Sequence, residues 1–308
     1  MGTIQRLDRL DAGDALDVAA LLAAAAAFDG NSPVDQRGWP ERGGRTEPGR
    51  TRLVARDGAG EGPPVGYAEV VREGDHWAVG VVVDPARRGP AHAIAADLLA
   101  AAEGVVAGAG GGRMQRWVSG AGPATERMLQ SAGWSTRRAL YQMRRPLPVE
   151  AARADEEPLP TRPFRVGVDE EAWLRVNNRA FDWHPEQGGW QRADVEGREA
   201  EPWFDADGFL LHEDGGRLNG FCWTIVHTDQ QPPLGEIYVI AVDPDAGGHG
   251  LGRRLVLAGL DYLARRRGVT VGMLYCEADN TRALKLYIDL GFQVHHVDRL
   301  YTKDVAPT

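Results

Sequence analysis

The sequence GEIYVIAVDPDAGGHGLGRR, at residues 235–254, decides the fold of this chain. Its first part, up to Val242, is rich in β-branched and aromatic residues, which is typical of a β-strand. Pro244 cannot donate a hydrogen bond to a neighbouring strand, so we expect the strand to end there. Four glycines follow, and from Leu251 to Leu263 apolar residues recur at helical spacing. The stretch therefore predicts a strand, a glycine-rich loop and an amphipathic helix of about four turns.

A strand, a glycine-rich loop and a helix in this order direct backbone N–H groups and the positive end of the helix dipole at a phosphate. A dinucleotide-binding G-x-G-x-x-G loop is excluded because Arg253 stands at the third glycine position, and a Walker loop would need Lys before Ser or Thr. An acyl-CoA loop, V-x-P followed by [Q/R]-x-x-G-x-[G/A], matches residues 242–244 and 250–252, with Gly247 where Gln or Arg is usual. The alternative is an ordinary glycine-rich surface turn.

A second signature follows the first. Residues 269–277 are predicted to form a strand, Asn280 and Thr281 to begin a helix, and Gly291 to end it. The pattern N-x-x-A-x-x-x-Y-x-x-x-G-F is complete at residues 280–292. With the acyl-CoA loop, this pattern resembles the GCN5-related N-acetyltransferase (GNAT) family. The resemblance implies an α/β fold, with a central mixed sheet flanked by helices, and acetyl-CoA as co-substrate.

Composition limits the possible functions. A length of 308 residues suggests two domains, and a net charge of −9 argues against nucleic acid as a general partner. The two cysteines, Cys222 and Cys276, are too few for a disulfide framework and fit a reducing cytoplasm. We expect no membrane span and no signal peptide, because the apolar residues 19–27 are few and follow an acidic stretch. No residues have metal-ligand spacing, and we expect no metal.

The order of predicted elements occurs twice, which indicates a tandem duplication of two GNAT-fold domains. The first copy covers residues 1–148, a linker rich in Pro, Glu and Ala covers residues 149–162, and the second copy covers residues 163–308. Helices are expected at residues 10–28, 91–106, 125–132 and 169–181, and strands at residues 52–55, 65–72, 77–84, 113–118, 141–145, 164–168, 209–212 and 220–227.

The two copies differ at the positions that carry chemistry. Counting from V-x-P and from the helix end, the first copy has Trp77 for Glu236, Ala91 for Gly250, Ala93 for Gly252, Gly122 for Asn280 and Leu129 for Tyr287. A Cβ at both loop positions would obstruct a pyrophosphate, and Pro90 removes an N–H donor. We infer that the first copy binds acetyl-CoA weakly or not at all and does no chemistry. Arg88 leaves residual phosphate binding open.

In the second copy, two side chains are the candidates for acid–base chemistry. Acetyl transfer needs a neutral amine and a protonated leaving thiolate. Glu236 would accept the proton of the amine, directly or through water; the alternative is an exposed strand glutamate. Tyr287, one helical turn before Gly291, would protonate the CoA sulfur; the alternative is a core tyrosine. We interpret His227 and His249 as solvated loop residues, and Cys222 as a buried small hydrophobe.

The GNAT resemblance also implies a set of acetyl-CoA contacts. A bulge in the strand would free backbone amides near Val242 to hold the thioester oxygen. The loop and the first turns of the two helices would hold the rest of the molecule. The implied positions are Ile240, Ala241, Val242, Gly247, Gly248, His249, Gly250, Leu251, Gly252, Arg253, Asn280, Arg282, Ala283 and Lys285.

Longer segments indicate a substrate. N-N-R-A-F-x-x-H-P-E-Q-G-G-W at residues 177–190, G-F-C-W-T-I-V-H at residues 220–227 and L-Y-C-E-A-D-N at residues 274–280 resemble the mycothiol synthase family, and the resemblance covers the whole chain. It implies acetylation of the cysteinyl amine of 1D-myo-inositol 2-(L-cysteinylamino)-2-deoxy-glucopyranoside. The implied substrate-binding residues are Glu186, Glu236 and Tyr275.

The chain departs from that family at three points. One is the phosphate loop of the first copy, at residues 87–92, which lacks the usual glycines. Ile225 stands where the family has a substrate-contacting Lys, and Asp35 or Gln36 is nearest to a family glutamate of the first copy. An acetyltransferase acting on another amine, such as a peptide N-terminus or an aminoglycoside, is therefore the alternative. A non-enzymatic acyl-CoA sensor is a further alternative, against which intact Glu236 and Tyr287 argue. We expect a monomer with a small-molecule substrate.

Overall fold

The computed structural model describes residues 3–29, 50–58, 60, 62–89, 93–149, 159–183, 187–228, 230–248 and 250–308. The chain forms two compact units, Met1–Leu140 with Val297–Thr308, and Tyr141–His296. In chain order the elements are β1 (Thr3–Leu7), α1 (Ala12–Asp29), β2 (Arg50–Arg56), β3 (Pro64–Glu73), β4 (His76–Val83), α2 (Ile94–Gly108), β5 (Gly112–Ser119), α3 (Pro123–Ser131), β6 (Ser135–Pro146), β7 (Arg162–Pro163), α4 (Glu170–Ala180), α5 (Arg192–Glu199), β8 (Phe209–Asp214), β9 (Arg217–His227), β10 (Leu234–Val242), α6 (Leu251–Arg265), β11 (Val271–Glu277), α7 (Thr281–Asp289) and β12 (Gln293–Val305).

The first unit is a mixed sheet with the strand order β1-β2-β3-β4-β5-β12. Helix α1 covers one face and packs on Val54, Tyr67 and Val82. Helices α2 and α3 cover the other face, where alternate strand residues such as Leu53 join a larger apolar cluster. The last strand enters this sheet by antiparallel pairing with β5, from Asp298 to Val305 on β12.

The second unit has the strand order β6-β11-β10-β9-β8-β7. Helices α6 and α7 contribute Leu255, Leu260 and Tyr287 to the cluster on one face. Helices α4 and α5 contribute Trp173 and Val195 to the aromatic cluster on the other. The mixed sheets and their flanking helices confirm the predicted α/β class.

Helix α6 lies very close to the strands beneath it because its contact residue is glycine. A Cβ at Gly259 would meet Cys222 Sγ at 2.5 Å and Ile237 Cδ1 at 2.7 Å. Cys222 itself is fully buried, which confirms its interpretation as a small hydrophobe, and burial raises the pKa of its thiol to about 12. The close approach fixes α6 against β9 and β10, the strands that carry the candidate site.

The segment at residues 164–168 was predicted to be a strand, and that prediction is wrong. Only Arg162–Pro163 pairs with β8, and the chain then turns, with Gly167 at φ +81°. The buried carboxylate of Asp169 holds the turn, accepting hydrogen bonds from Arg165 N at 2.8 Å and Arg162 Nη1 at 2.7 Å. Burial alone would raise the pKa of Asp169, but the hydrogen bonds from Arg162 and Arg165 hold it at about 2.

The compact units do not follow a single cut in the sequence. Residues 141–148 belong to the second unit, and Val297–Thr308 belongs to the first, although it ends the chain. The division at residues 148 and 163 stays a prediction about the duplicated sequence. No helix in the described parts of the chain combines the length and the apolar character needed to cross a membrane.

Candidate active site

Strand β10 carries an irregularity at its centre. Its antiparallel register with β9 shifts between Ile237 and Val239, so Tyr238 is the extra residue of a bulge. The Tyr238 ring packs edge-on against Trp203 and Trp223, at centroid distances of 5.5 and 5.3 Å. A bulge leaves backbone groups unpaired and bends the strand. The bulge lies where the GNAT resemblance implies one.

Beyond the bulge, β10 and β11 diverge. Their parallel pairing runs from Leu234↔Val271 to Ile237↔Leu274, although β10 continues to Val242 and β11 to Glu277. On this side of β10, the backbone of residues 239–242 therefore lies along an opening between two strands. Ile240, Ala241 and Val242 belong to this edge, and their contact with acetyl-CoA stays a prediction.

The glycine-rich loop fits an anionic ligand. Gly248 and Gly250 have φ values of +110° and +69°, in the region that residues with a Cβ avoid, and both are exposed. Gly250 is the N-cap of α6 and supplies no side-chain cap to the first-turn N–H groups, including that of Gly252. These features suit the pyrophosphate of acetyl-CoA. His249 lies outside the described residues.

The V-x-P turn, which precedes the glycine-rich loop, is held by hydrogen bonds to a buried carboxylate. Asp243 is completely buried and accepts hydrogen bonds from Arg179 Nη1 at 3.0 Å and Arg217 Nη2 at 3.2 Å. Its carboxylate also accepts the backbone N–H of Asp245 at 2.9 Å. The V-x-P turn is thus held by two arginines from α4 and β9, so the loop leaves β10 in a fixed direction.

Glu236 lies on the sheet face that α4 and α5 cover, and only 5% of it is exposed. Its Oε2 atom is 2.7 Å from Nε2 of His227, the last residue of β9. The alternative of an exposed glutamate is therefore wrong, and so is the interpretation of His227 as a solvated loop residue. Ile225 is the residue directly opposite Glu236 across the ladder, and it is buried.

Tyr287 lies on the opposite sheet face, in the cluster with α6. Its ring packs edge-on against Phe292, with centroids 5.9 Å apart. Burial, together with the neighbouring Cys276 and Cys222 thiols, raises the pKa of Tyr287 well above its usual range. The phenol therefore stays protonated at neutral pH, which a proton donor needs. Its role as the acid stays a prediction.

The start of α7 is an ordinary capped helix terminus. Asn280 Oδ1 accepts the N–H of Ala283 at 3.1 Å, so this side chain stabilises the helix. Arg282 is exposed, and Lys285 pairs with Asp289 at 2.9 Å on the exposed surface. Contacts of these residues with acetyl-CoA stay predictions.

Two residues near Tyr275 were not predicted from the sequence to belong to the site. Gln142 Nε2 donates to Tyr275 Oη at 2.8 Å, and Arg144 Nε donates to Gln142 Oε1 at 2.7 Å. Both come from β6, which the sequence placed in the first copy, so no motif near Tyr275 could indicate them. Glu186, the third predicted substrate residue, lies outside the described residues.

The first unit has no equivalent bulge. Its register between β3 and β4 is continuous from Gly66↔Val83 to Glu73↔His76. Matching the two ladders therefore puts Ala78 at the position of Glu236, and the assignment of Trp77, which counted residues without the bulge, is corrected.

The first unit also differs around its phosphate loop and between its parallel strands. Arg88 Nη1 bonds to Asp29 at 2.6 Å, and Arg116 Nη2 donates to Val81 O at 3.3 Å, across the end of the β4–β5 pairing. Leu129 is completely buried where the second unit has Tyr287. Pro90 and Ala91, like Asp35 and Gln36, lie outside the described residues.

Comparisons with known proteins agree with this geometry. Residues 173–292 match the family model described as the acetyltransferase (GNAT) family. A GCN5-related N-acetyltransferase from Sphaerobacter thermophilus, 23% identical, superposes with a TM-score of 0.70 over 99% of this chain and 96% of the other. A tandem GNAT protein from the clavulanic acid biosynthesis pathway, 19% identical, gives 0.66 over 99% and 100%. These likenesses confirm the predicted tandem GNAT fold.

A sequence relative is more specific than the fold. A mycothiol acetyltransferase from Nocardia farcinica is 43% identical over 313 residues, which cover 99% of this chain and 99% of the relative. The family model and this relative together show that the protein is an acetyl-CoA-dependent N-acetyltransferase. On this identity and coverage, the chain belongs to the mycothiol acetyltransferase family.

Proposed function

We propose that the protein transfers the acetyl group of acetyl-CoA to the cysteinyl amine of 1D-myo-inositol 2-(L-cysteinylamino)-2-deoxy-α-D-glucopyranoside, giving mycothiol and CoA. The relative named mycothiol acetyltransferase supports this substrate. The buried carboxylate of Glu236 carries the chemical part of the proposal, because it lies on the bulged strand that also has the open edge, and the partly exposed His227 of β9 bonds to it.

Each residue has a separate task in this proposal. Glu236 takes the proton from the amine, and His227 fixes the orientation of its carboxylate. Backbone N–H groups at the open edge of β10 stabilise negative charge on the acyl oxygen. Tyr287 donates its proton to the sulfur of the leaving CoA. Acetyl-CoA supplies the activated acetyl thioester when it is bound.

One observation favours a second candidate substrate. Ile225 is buried directly opposite Glu236, and its apolar side chain offers no hydrogen bond where the family has a lysine. An N-acetyltransferase acting on a peptide N-terminus or an aminoglycoside is therefore the alternative. The proposal also includes a cytoplasmic location and a monomeric protein. It includes no nucleic-acid partner, no membrane association and no metal ion.

The test is release of free thiol from acetyl-CoA by the full chain. Cysteinyl-glucosaminyl-inositol is compared with a panel of peptides and aminoglycosides. We expect turnover of the cysteinyl substrate alone, and a fall in kcat of at least about a hundredfold in Glu236→Gln, since a positioned base contributes about that much or more. Glu73→Gln, an accessible glutamate of the first unit, is the matched control. Turnover of peptides or aminoglycosides alone would replace the proposed substrate.

A further inference from the structure

A polar cluster lies on the same sheet face as Glu236. Met273 neighbours Glu236 in the β10–β11 ladder, and Tyr275 follows two residues later, so its side chain points to the same face. Gln142, only 5% exposed, donates to the Tyr275 hydroxyl. We call Gln142, Arg144, Tyr275 and His295 the β6 polar cluster.

Arg144 is the charged member of the β6 polar cluster, and its surroundings are neutral. Its Nε donates to Gln142, and burial lowers the pKa of its guanidinium. The pKa of His295 is lowered by burial and then by the positive charge of Arg144, which keeps the imidazole neutral at pH 7. Among the described residues, no carboxylate forms an ion pair with Arg144. A partly buried guanidinium without a counter-charge has donors that a ligand can satisfy.

We propose that Gln142 and Arg144 select the sugar part of the substrate, by hydrogen bonding to its ring hydroxyls. This assignment rests on the proposed function and adds its specificity determinants. The planar guanidinium fork matches pairs of neighbouring hydroxyl oxygens, and these uncharged groups are easily desolvated. Gln142 links Arg144 to the hydroxyl of Tyr275, a substrate-binding residue that the family resemblance implies.

The β6 polar cluster also explains how the two substrate classes would be told apart. A polycationic aminoglycoside brings several ammonium groups next to the positive charge of Arg144, and like charges repel. A peptide brings no array of ring hydroxyls. The neutral polyol of cysteinyl-glucosaminyl-inositol satisfies the donors of Arg144 without adding charge, so the cluster favours that substrate.

The experiment measures KM for the full cysteinyl substrate and for cysteine amide, which lacks the sugars, in wild type and Arg144→Gln. Glucosaminyl-inositol serves as a competitive inhibitor that reports on sugar binding alone. We expect about a tenfold rise in KM for the full substrate and in Ki for glucosaminyl-inositol, equivalent to about 1.4 kcal/mol. The kcat and the kinetics with cysteine amide should change less than about twofold.

Three further variants separate specificity from folding. Arg144→Lys keeps the charge without the fork and should lie between wild type and Arg144→Gln. Gln142→Met should raise the same Ki, and thermal melting checks that it folds. Arg137→Gln, an exposed change on the same strand, should leave every constant unaltered.

An unchanged Ki in Arg144→Gln, or equal losses with full substrate and cysteine amide, overturns the assignment while the proposed function stands. Wild-type protein that acetylates only peptides or aminoglycosides overturns the proposed function, and the sugar subsite with it. The kinetic constants of Arg144→Gln therefore test the sugar subsite, and the substrate range of the wild type tests the proposed function.

Discussion

Replacing His227 by Ala tests whether the hydrogen bond to Glu236 matters for catalysis. The bond is 2.7 Å long, it reaches a carboxylate whose side chain is 7% exposed, and the described residues give Glu236 no other hydrogen-bond partner. A hydrogen bond to a charged group contributes about 1.5–3 kcal/mol, which corresponds to about 10- to 150-fold in rate. We therefore expect kcat of His227→Ala to fall by about 10- to 150-fold.

The assay is thiol release with the cysteinyl substrate at saturating acetyl-CoA. KM for acetyl-CoA should change little, because the glycine loop and α6 are not touched. His227→Gln keeps a donor and should recover most of the lost kcat, and His76→Ala, in the first unit, is the control. Unaltered kcat in His227→Ala, or a loss confined to the KM for acetyl-CoA, would refute the positioning of Glu236 by His227.

Other predictions address the acid, the packing and the pH dependence. Tyr287→Phe should keep the fold and lower kcat by about a hundredfold; since its pKa is raised, wild-type activity should show no alkaline loss from this group below about pH 10, as a pH–rate profile will show. Gly259→Ala should lower the free energy of unfolding by up to about 2 kcal/mol, because a methyl group 2.5 Å from Cys222 Sγ overpacks the helix against the sheet; a rise in Tm would contradict this. Asp169→Asn should cost about 2 kcal/mol at pH 7 in urea denaturation. Because the folded pKa of about 2 lies below the ordinary value of 3.8, that difference should fade as the pH falls from 5 to 2.

Local sequence signals predicted most of the second unit. V-x-P, the glycine-rich loop and the helix from Leu251 correspond to β10, the loop and α6, because proline, glycine and apolar spacing act within a few residues. Helix α5 was missed, since RADVEGRE buries only Val195 and has no apolar stripe. Strand β1, at residues 3–7, was missed because it is short and mostly exposed.

The parts of the site that the sequence did not predict depend on contacts between distant segments. His227 reaches Glu236 only because β9 and β10 pair, and Gln142 reaches Tyr275 only because β6 lies beside β11. Residue counting from V-x-P also fails at Tyr238, because a bulge adds a residue without any composition signal. Motifs therefore locate Glu236 but not the side chains that surround it.

The bulge at Tyr238 sets a limit on redesigning the first unit. Ala78→Glu would put a carboxylate at the ladder position of Glu236, but β4 would still pair with β3 in unbroken register. A substitution changes a side chain but not the number of residues in a strand. Strand β10 has one residue more than β4 opposite its partner strand, and that residue is Tyr238. Reviving chemistry in the first unit would therefore require lengthening β4 by one residue, a change that no series of point mutations can supply.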